Sequence, residues 1–278
     1  RQEVWWEARK CIGCGGCEGV CERSAFNFGD QGIRIDRSAC NACGKCVEAC
    51  PSGAFAFIGT EWTQDALARE ILKDKHYYDQ FGGGVTVSGG EPLMQADFVC
   101  DFLRRLRGEG VRTAFDTCGA APEGALLRAL EHADALLYDI KHIDDAEHRE
   151  LTGRGNREIL GNLLSAAEYI RRAREAGRDI LLWIRTPLIP GATATEENIG
   201  GIAAFIAGNL LDVVNRWELC AFNAACAGKY AHMGLPWRYE GAPLLSQSLV
   251  DQLKGEALSR GIPPEVLTVT GIVARDRD

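Results

Sequence analysis

The chain has 278 residues, 46% of them hydrophobic, and a formal net charge of −8. That length suits one large globular domain, or one with a small module attached. The acidic balance argues against a nucleic-acid partner. No apolar run reaches the ~20 residues of a membrane span, and no signal peptide is visible.

Twelve cysteines would suit a disulfide scaffold in a small secreted chain, but eight of the twelve fall within residues 11–50 of a long one. Metal or cluster chemistry in the cytoplasm is the better reading. Residues 11–21 read CIGCGGCEGVC and residues 40–50 read CNACGKCVEAC, both C-x2-C-x2-C-x3-C and offset by 29 positions. The flanks SAFNF (24–28) and GAFAF (53–57) repeat at the same offset, so the segment is an internal duplication. The spacing suits [4Fe–4S] clusters, and in two-cluster ferredoxins the fourth cysteine of each run ligates the other cluster. This assigns Cys11, Cys14, Cys17 and Cys50 to one cluster, and Cys40, Cys43, Cys46 and Cys21 to the second. Small residues between them (Gly13, Gly15, Gly16, Ala42, Gly44) let backbone N–H groups turn toward sulfur. A pair of zinc sites is the competing reading, but zinc has no need of interleaved triplets. The block resembles a bacterial dicluster ferredoxin, with Glu22 after Cys21 where Pro51 follows Cys50.

After Ile58 the pattern changes. Apolar runs at 84–89, 112–117, 134–141, 179–189 and 214–222 read as strands, and amphipathic stretches at 64–75, 97–107, 123–132, 162–175 and 196–209 read as helices. Their alternation predicts an α/β fold with a parallel sheet. Each strand ends in glycine or polar residues: Ser88–Glu91, Asp116 with Thr117, Asp139–Lys141, Arg185 and Asn223. That edge carries the site in α/β sheets and barrels.

SGGEP (88–92), DTCG (116–119), YDIK (138–141), H-x3-TG-x2-N (148–156), IRTPLIPG (184–191) and GKY (228–230) together resemble the activating enzymes of glycyl radical enzymes. These belong to the radical S-adenosylmethionine (SAM) superfamily. The resemblance implies a partial (β/α)6 TIM-like barrel over residues 59–278, with a small α+β dicluster ferredoxin domain over 10–58 at its N-terminal side. It implies that Ser88, Gly89, Gly90 and Glu91 lie against the methionine part of SAM, with Glu91 supplying negative charge near the ammonium. Gly90 lets the ligand reach the backbone. Asp139, Ile140 and Lys141 would line the ribose and carboxylate side, and Arg185 and Asn223 would also contact SAM. Asn223 stands where many relatives have a histidine. Asp116, Thr117 and Asp139 would form a monovalent-cation site. Lys141 paired with Asp139 as a structural bridge remains a competing reading. His148 and Asn156 are expected to order a loop, and Cys100, Cys118, Cys220 and Cys226 to be free thiols.

The family's catalytic cluster sits on a C-x3-C-x2-C motif after the first barrel strand, and no cysteine here has partners at +4 and +7. Residues 1–9 therefore read as a linker remnant of that missing strand and loop. The intact protein is expected to carry roughly forty more residues upstream, a third [4Fe–4S] cluster that binds SAM, and activity that this chain lacks. The expected function is to cleave SAM and install a glycyl radical on a partner enzyme, with a flavodoxin or ferredoxin as reductant. A non-catalytic electron-transfer protein fused to a ligand-binding barrel, and a radical SAM enzyme acting on a small molecule, are the alternatives.

Overall fold

The structure, a computed structural model, describes residues 3–29, 32–233 and 235–275. It divides into two compact units, Arg1–Thr63 with Ala224–Ala242, and Gln64–Asn223 with Pro243–Asp278.

The first unit contains β1 (Glu3–Trp6), α1 (Gly16–Val20), β2 (Phe26–Gly29), β3 (Gly32–Ile35), α2 (Lys45–Ala49) and β4 (Phe55–Ile58). Strands β2 and β3 form one antiparallel pair, and β1 and β4 another. The duplication is visible in the backbone. Left-handed residues recur at the 29-residue offset: Gly13 (φ 69°) with Ala42 (56°), Gly15 (70°) with Gly44 (83°), and Ser24 (47°) with Gly53 (64°). Where the repeat places a side chain at such a position, the conformation costs roughly 1–2 kcal/mol. Cys17, Cys46, Phe55 and Val4 form the core, joined by Phe26, whose ring centroid lies 5.2 Å from that of Phe55.

Among the described residues of the segment read as a linker, Glu3–Trp6 form a strand. Val4 is 1% exposed and pairs with Phe57, so β1 is part of the ferredoxin-like unit. The Arg37 guanidinium also donates to the Val4 carbonyl at 2.6 Å.

The second unit holds a six-stranded parallel sheet: β5 (Gly84–Val87), β6 (Arg112–Thr117), β7 (Ala135–Asp139), β8 (Leu181–Leu188), β9 (Val214–Ala221) and β10 (Leu267–Thr270), each beside the next. β10 has no counterpart among the five strands read from the sequence. The helices are α3 (Gln64–Ile71), α4 (Lys75–Phe81), α5 (Ala96–Gly108), α6 (Glu123–Leu130), α7 (Asp145–Thr152), α8 (Arg157–Glu175), α9 (Glu196–Asn209) and α11 (Gln247–Ser259). Period-2 alternation sorts the strand side chains. Phe115, Leu136, Tyr138, Leu182, Ile184, Trp217 and Leu219 are 0% exposed and form the apolar face. Asp116, Asp139, Arg185, Glu218 and Cys220 fall on the other face, half-buried. α10 (Ala227–Met233) belongs to the first unit, so the domain expected over 59–278 gives up residues 224–242.

Candidate functional site

The C-terminal ends of β5 to β9 bring one constellation together. Arg185 stands opposite Asp139 on β7 and Glu218 on β9. Its Nη1 donates to Asp116 Oδ2 at 2.6 Å, and its Nε lies 3.5 Å from Glu218 Oε2. Burial alone would depress this guanidinium, but the Asp116 and Asp139 carboxylates outweigh it and strengthen its hold on the proton. Cys220, beside it, is pushed up by burial and by the Glu218 charge, with Arg185 pulling the other way. The Arg185 Nε is shielded from solvent and makes no hydrogen bond within the fold. That nitrogen faces the Glu218 carboxylate as an ion pair, at a distance too long for a good hydrogen bond.

The loop after β5 leaves its backbone open. Ser88, Gly89 and Gly90 are exposed, and Gly89 sits at φ 145°, where a side chain would strain the chain. A Cβ built on Gly90 meets nothing within 4 Å. Ser88 Oγ donates to Asp116 Oδ2 at 3.3 Å, tying this loop to β6.

Glu91 has a role in the fold that the sequence does not show. Its carboxylate accepts from Leu93 N (3.1 Å), Thr117 Oγ1 (2.7 Å), Cys118 N (2.9 Å) and Cys118 Sγ (3.1 Å). Those bonds occupy its acceptor sites, so Glu91 clamps the SGGEP turn to the end of β6. Burial and the bond to this carboxylate both push the Cys118 thiol up. The three residues expected to hold a cation are likewise engaged. Asp116 meets Arg185 and Ser88; Thr117, 2% exposed, donates to Glu91 and accepts from Gly119 N; and Asp139 pairs with Lys141 at 2.9 Å.

Ile140 is 1% exposed, its side chain in the core, and its N–H donates to the Arg185 carbonyl at 2.9 Å. Only its backbone is on offer to a ligand. Asn223, exposed, follows β9 at the end of this stretch of the unit. His148 and Asn156 do order the loop after β7: His148 Nδ1 lies 2.7 Å from the Arg154 carbonyl, and the Asn156 amide donates to the carbonyls of His142 and Ile143. Sequence reasoning missed Asn198, 0% exposed on α9. Its amide serves Ile143 N, the Lys141 carbonyl and the Thr193 carbonyl. It also missed Asn162 on α8, which donates to the carbonyls of Gly119 and Ala121. An Asn amid an apolar helical stripe was the signal.

In the first unit the cysteines line two cavities. One is bordered by Cys11, Cys14, Cys17 and Cys50, the other by Cys21, Cys40, Cys43 and Cys46. Backbone N–H groups reach the sulfurs: Ala25 N to Cys21 (3.4 Å), Ala42 N to Cys40 (3.4 Å) and Ala54 N to Cys50 (3.2 Å). Burial pushes Cys46 up to about 11. For Cys50 burial acts the same way, but the Ser52 hydroxyl and the N–H groups of Ser52, Ala54 and Phe55 hold it at about 7. Among the described residues no three Cys, His, Asp or Glu side chains stand close enough for a single metal ion. Four thiols ringing a cavity, with N–H groups aimed at sulfur, fit a cubane cluster better than a zinc ion.

Residues 45–200 match the radical SAM superfamily, and residues 10–54 match the 4Fe-4S dicluster domain. The chain is 32% identical over 270 residues to the choline trimethylamine-lyase activating enzyme of Oleidesulfovibrio alaskensis, covering 95% of this chain and 84% of that protein. It is 40% identical over 207 residues to the isethionate sulfite-lyase activating enzyme of Nitratidesulfovibrio vulgaris, covering 73% of this chain and 65% of that one. Among solved structures, a domain of pyruvate-formate lyase-activating enzyme from Bacteroides vulgatus matches with a TM-score of 0.52 at 27% identity, over 68% of this chain and 99% of that one.

Proposed function

The chain belongs to the radical SAM superfamily and, within it, to the activating enzymes of glycyl radical enzymes, and from that membership we propose how its own residues serve the activity. SAM binds at the C-terminal ends of β5 to β9. The open backbone at Ser88, Gly89 and Gly90 offers carbonyls to the ligand ammonium, a role that needs the missing Cβ of Gly90. Arg185, held between Asp116 and Glu218, supplies the positive charge that faces an anionic group of the ligand. Lys141 and Asp139 form a bridge whose members can swing to the ribose or carboxylate, and Asn223 contributes an amide that donates and accepts but does not titrate. Glu91 holds the turn in shape. The exposed Ser88–Gly90 backbone, tied through Ser88 to the same Asp116 carboxylate that pairs with half-buried Arg185, is the observation that carries this reading.

Two [4Fe–4S] clusters sit in the first unit, one on Cys11, Cys14, Cys17 and Cys50, the other on Cys21, Cys40, Cys43 and Cys46. A reduced [4Fe–4S] cluster, when bound, would supply the electron for cleaving a C–S bond of SAM, and a glycine of the partner enzyme would be the hydrogen donor. The macromolecular partner is a glycyl radical enzyme, the reductant a flavodoxin or ferredoxin, and the setting the cytoplasm. No helix among the described residues is long and apolar enough to cross a membrane.

Equilibrium dialysis of the anaerobically reconstituted protein against labelled SAM tests the site. Saturable binding is expected, displaced by S-adenosylhomocysteine and weakened by Gly90→Val. Absent binding, or binding indifferent to Gly90→Val, would place the ligand elsewhere.

A further inference from the structure

The 29-residue duplication makes the two cysteine cavities direct comparisons, and they are not alike. The cavity of Cys21, Cys40, Cys43 and Cys46 measures about 70 Å3; that of Cys11, Cys14, Cys17 and Cys50 measures about 300 Å3. Three substitutions between the repeats fall on these cavities. Lys45 pairs with Glu22 across the smaller cavity, and their counterparts at the larger one are Gly16 and Pro51, which cannot form an ion pair. The Phe57 ring lies over Gly44, where an added Cβ would come within 2.6 Å of it. Its counterpart Phe28 is 49% exposed and leaves Gly15 with nothing within 4 Å. Ile12, 68% exposed, lines the larger cavity where the smaller one has Asn41.

We propose that the face formed by Ile12, Phe28 and the exposed Cys14 loop, rather than its duplicate, is the docking surface for a one-electron carrier protein. The inference rests on the reading of two clusters in this unit. A cluster whose four irons all carry cysteine can exchange electrons but has no open position for a substrate, so what docks over it is a redox partner. Two exposed apolar side chains beside the cavity exclude water at the contact, and a small patch of this kind suits a transient redox encounter rather than a stable complex. The exchange is simple in balance: the carrier is oxidised by one electron and the cluster goes from the 2+ to the 1+ state. The duplicate cavity is smaller, and the charged Lys45 and Glu22 line it where the larger one has apolar side chains. The asymmetry therefore gives the electron a point of entry.

The test follows cluster bleaching by stopped-flow absorbance in the anaerobically reconstituted full chain. A reduced plant-type [2Fe–2S] ferredoxin serves as the probe, with dithionite as a small reductant that needs no docking. Ile12→Asn, which copies the second repeat, should slow reduction by the ferredoxin about tenfold, within the range over which interface variants move association rates. Its rate with dithionite should be unchanged. Phe28→Ser, on β2 and outside the cysteine loop, should act the same way and serves if Ile12→Asn loads iron poorly. Asn41→Ser, at the duplicate position, should leave both rates alone. Unchanged ferredoxin rates in Ile12→Asn and Phe28→Ser, or slowing by Asn41→Ser instead, would overturn the proposal. Iron content separates the two levels: a wild-type chain holding fewer than two clusters' worth of iron would remove the cluster reading itself, and the docking surface with it.

Discussion

Residues 90 and 91 are neighbours, yet the structure gives them opposite roles, and exchanging each for alanine separates them. Glu91→Ala removes the acceptor of Thr117 Oγ1 and Cys118 N, at 2.7 and 2.9 Å, as well as that of Leu93 N. Thr117 is 2% exposed, so its hydroxyl cannot turn to water. Hydrogen bonds to a charged group are worth about 1.5–3 kcal/mol each. Counting the lower figure for Thr117 and Cys118, and letting water replace the bond to Leu93, the loss is about 3 kcal/mol. For a unit of this size that lowers the melting temperature by about 6–12 °C. Gly90→Ala should leave it nearly unchanged, because its Cβ enters open space, while weakening SAM binding. Circular dichroism melts and equilibrium dialysis against SAM, run anaerobically on both variants, give the comparison. A Glu91→Ala protein with a wild-type melt and lost SAM affinity would refute the clamp and restore the carboxylate to the ligand.

Other expectations follow from the same geometry. Gly119→Ala combines a left-handed φ of 70° with a Cβ 1.6 Å from the Tyr138 hydroxyl; strain and overpacking together should cost about 2–5 kcal/mol, read from denaturant melts. The reconstituted chain should hold about eight irons and eight sulfides, and Cys21→Ser should damage the cluster of the second run; zinc as the main bound metal would contradict this. His148 is 3% exposed, and burial lowers its affinity for protons below the ordinary histidine value. The unfolded chain then binds the extra proton first, so stability should be full above the unfolded value of about 6.5 and fall as pH drops through it. His148→Gln should flatten that slope in pH-dependent melts.

What was legible in the sequence was what spacing dictates. The cysteine runs repeat at a fixed offset, and the two cavities group the same eight residues that the interleaved assignment did. The five apolar runs became β5 to β9 because period-2 burial under helices demands such runs. β10 was missed because Leu267–Thr270 is four residues long and behind a Pro-Pro loop, with nothing local to mark it. β1 was misread because EVWW becomes a strand only through β4, whose residues lie some fifty positions away. The bonds of Glu91 to Thr117 and Cys118 are not legible in sequence, because a carboxylate at a strand end reads the same whether it faces a ligand or the N–H groups of the next strand. Asn162 and Asn198 serve loops 41 to 57 residues distant, a pairing that only the fold creates.

The central claim, that these strand ends hold SAM for radical cleavage, is tested most directly by its product. The protein, with a C-x3-C-x2-C segment joined ahead of residue 1, is incubated anaerobically with SAM and a strong one-electron reductant, and the mixture is resolved by chromatography. The account predicts 5′-deoxyadenosine and methionine in equal amounts, a yield that falls sharply with Gly90→Val, and none from the 278 residues alone, which contain no such motif. No 5′-deoxyadenosine from the joined protein, or turnover by the 278 residues without that segment, would contradict it.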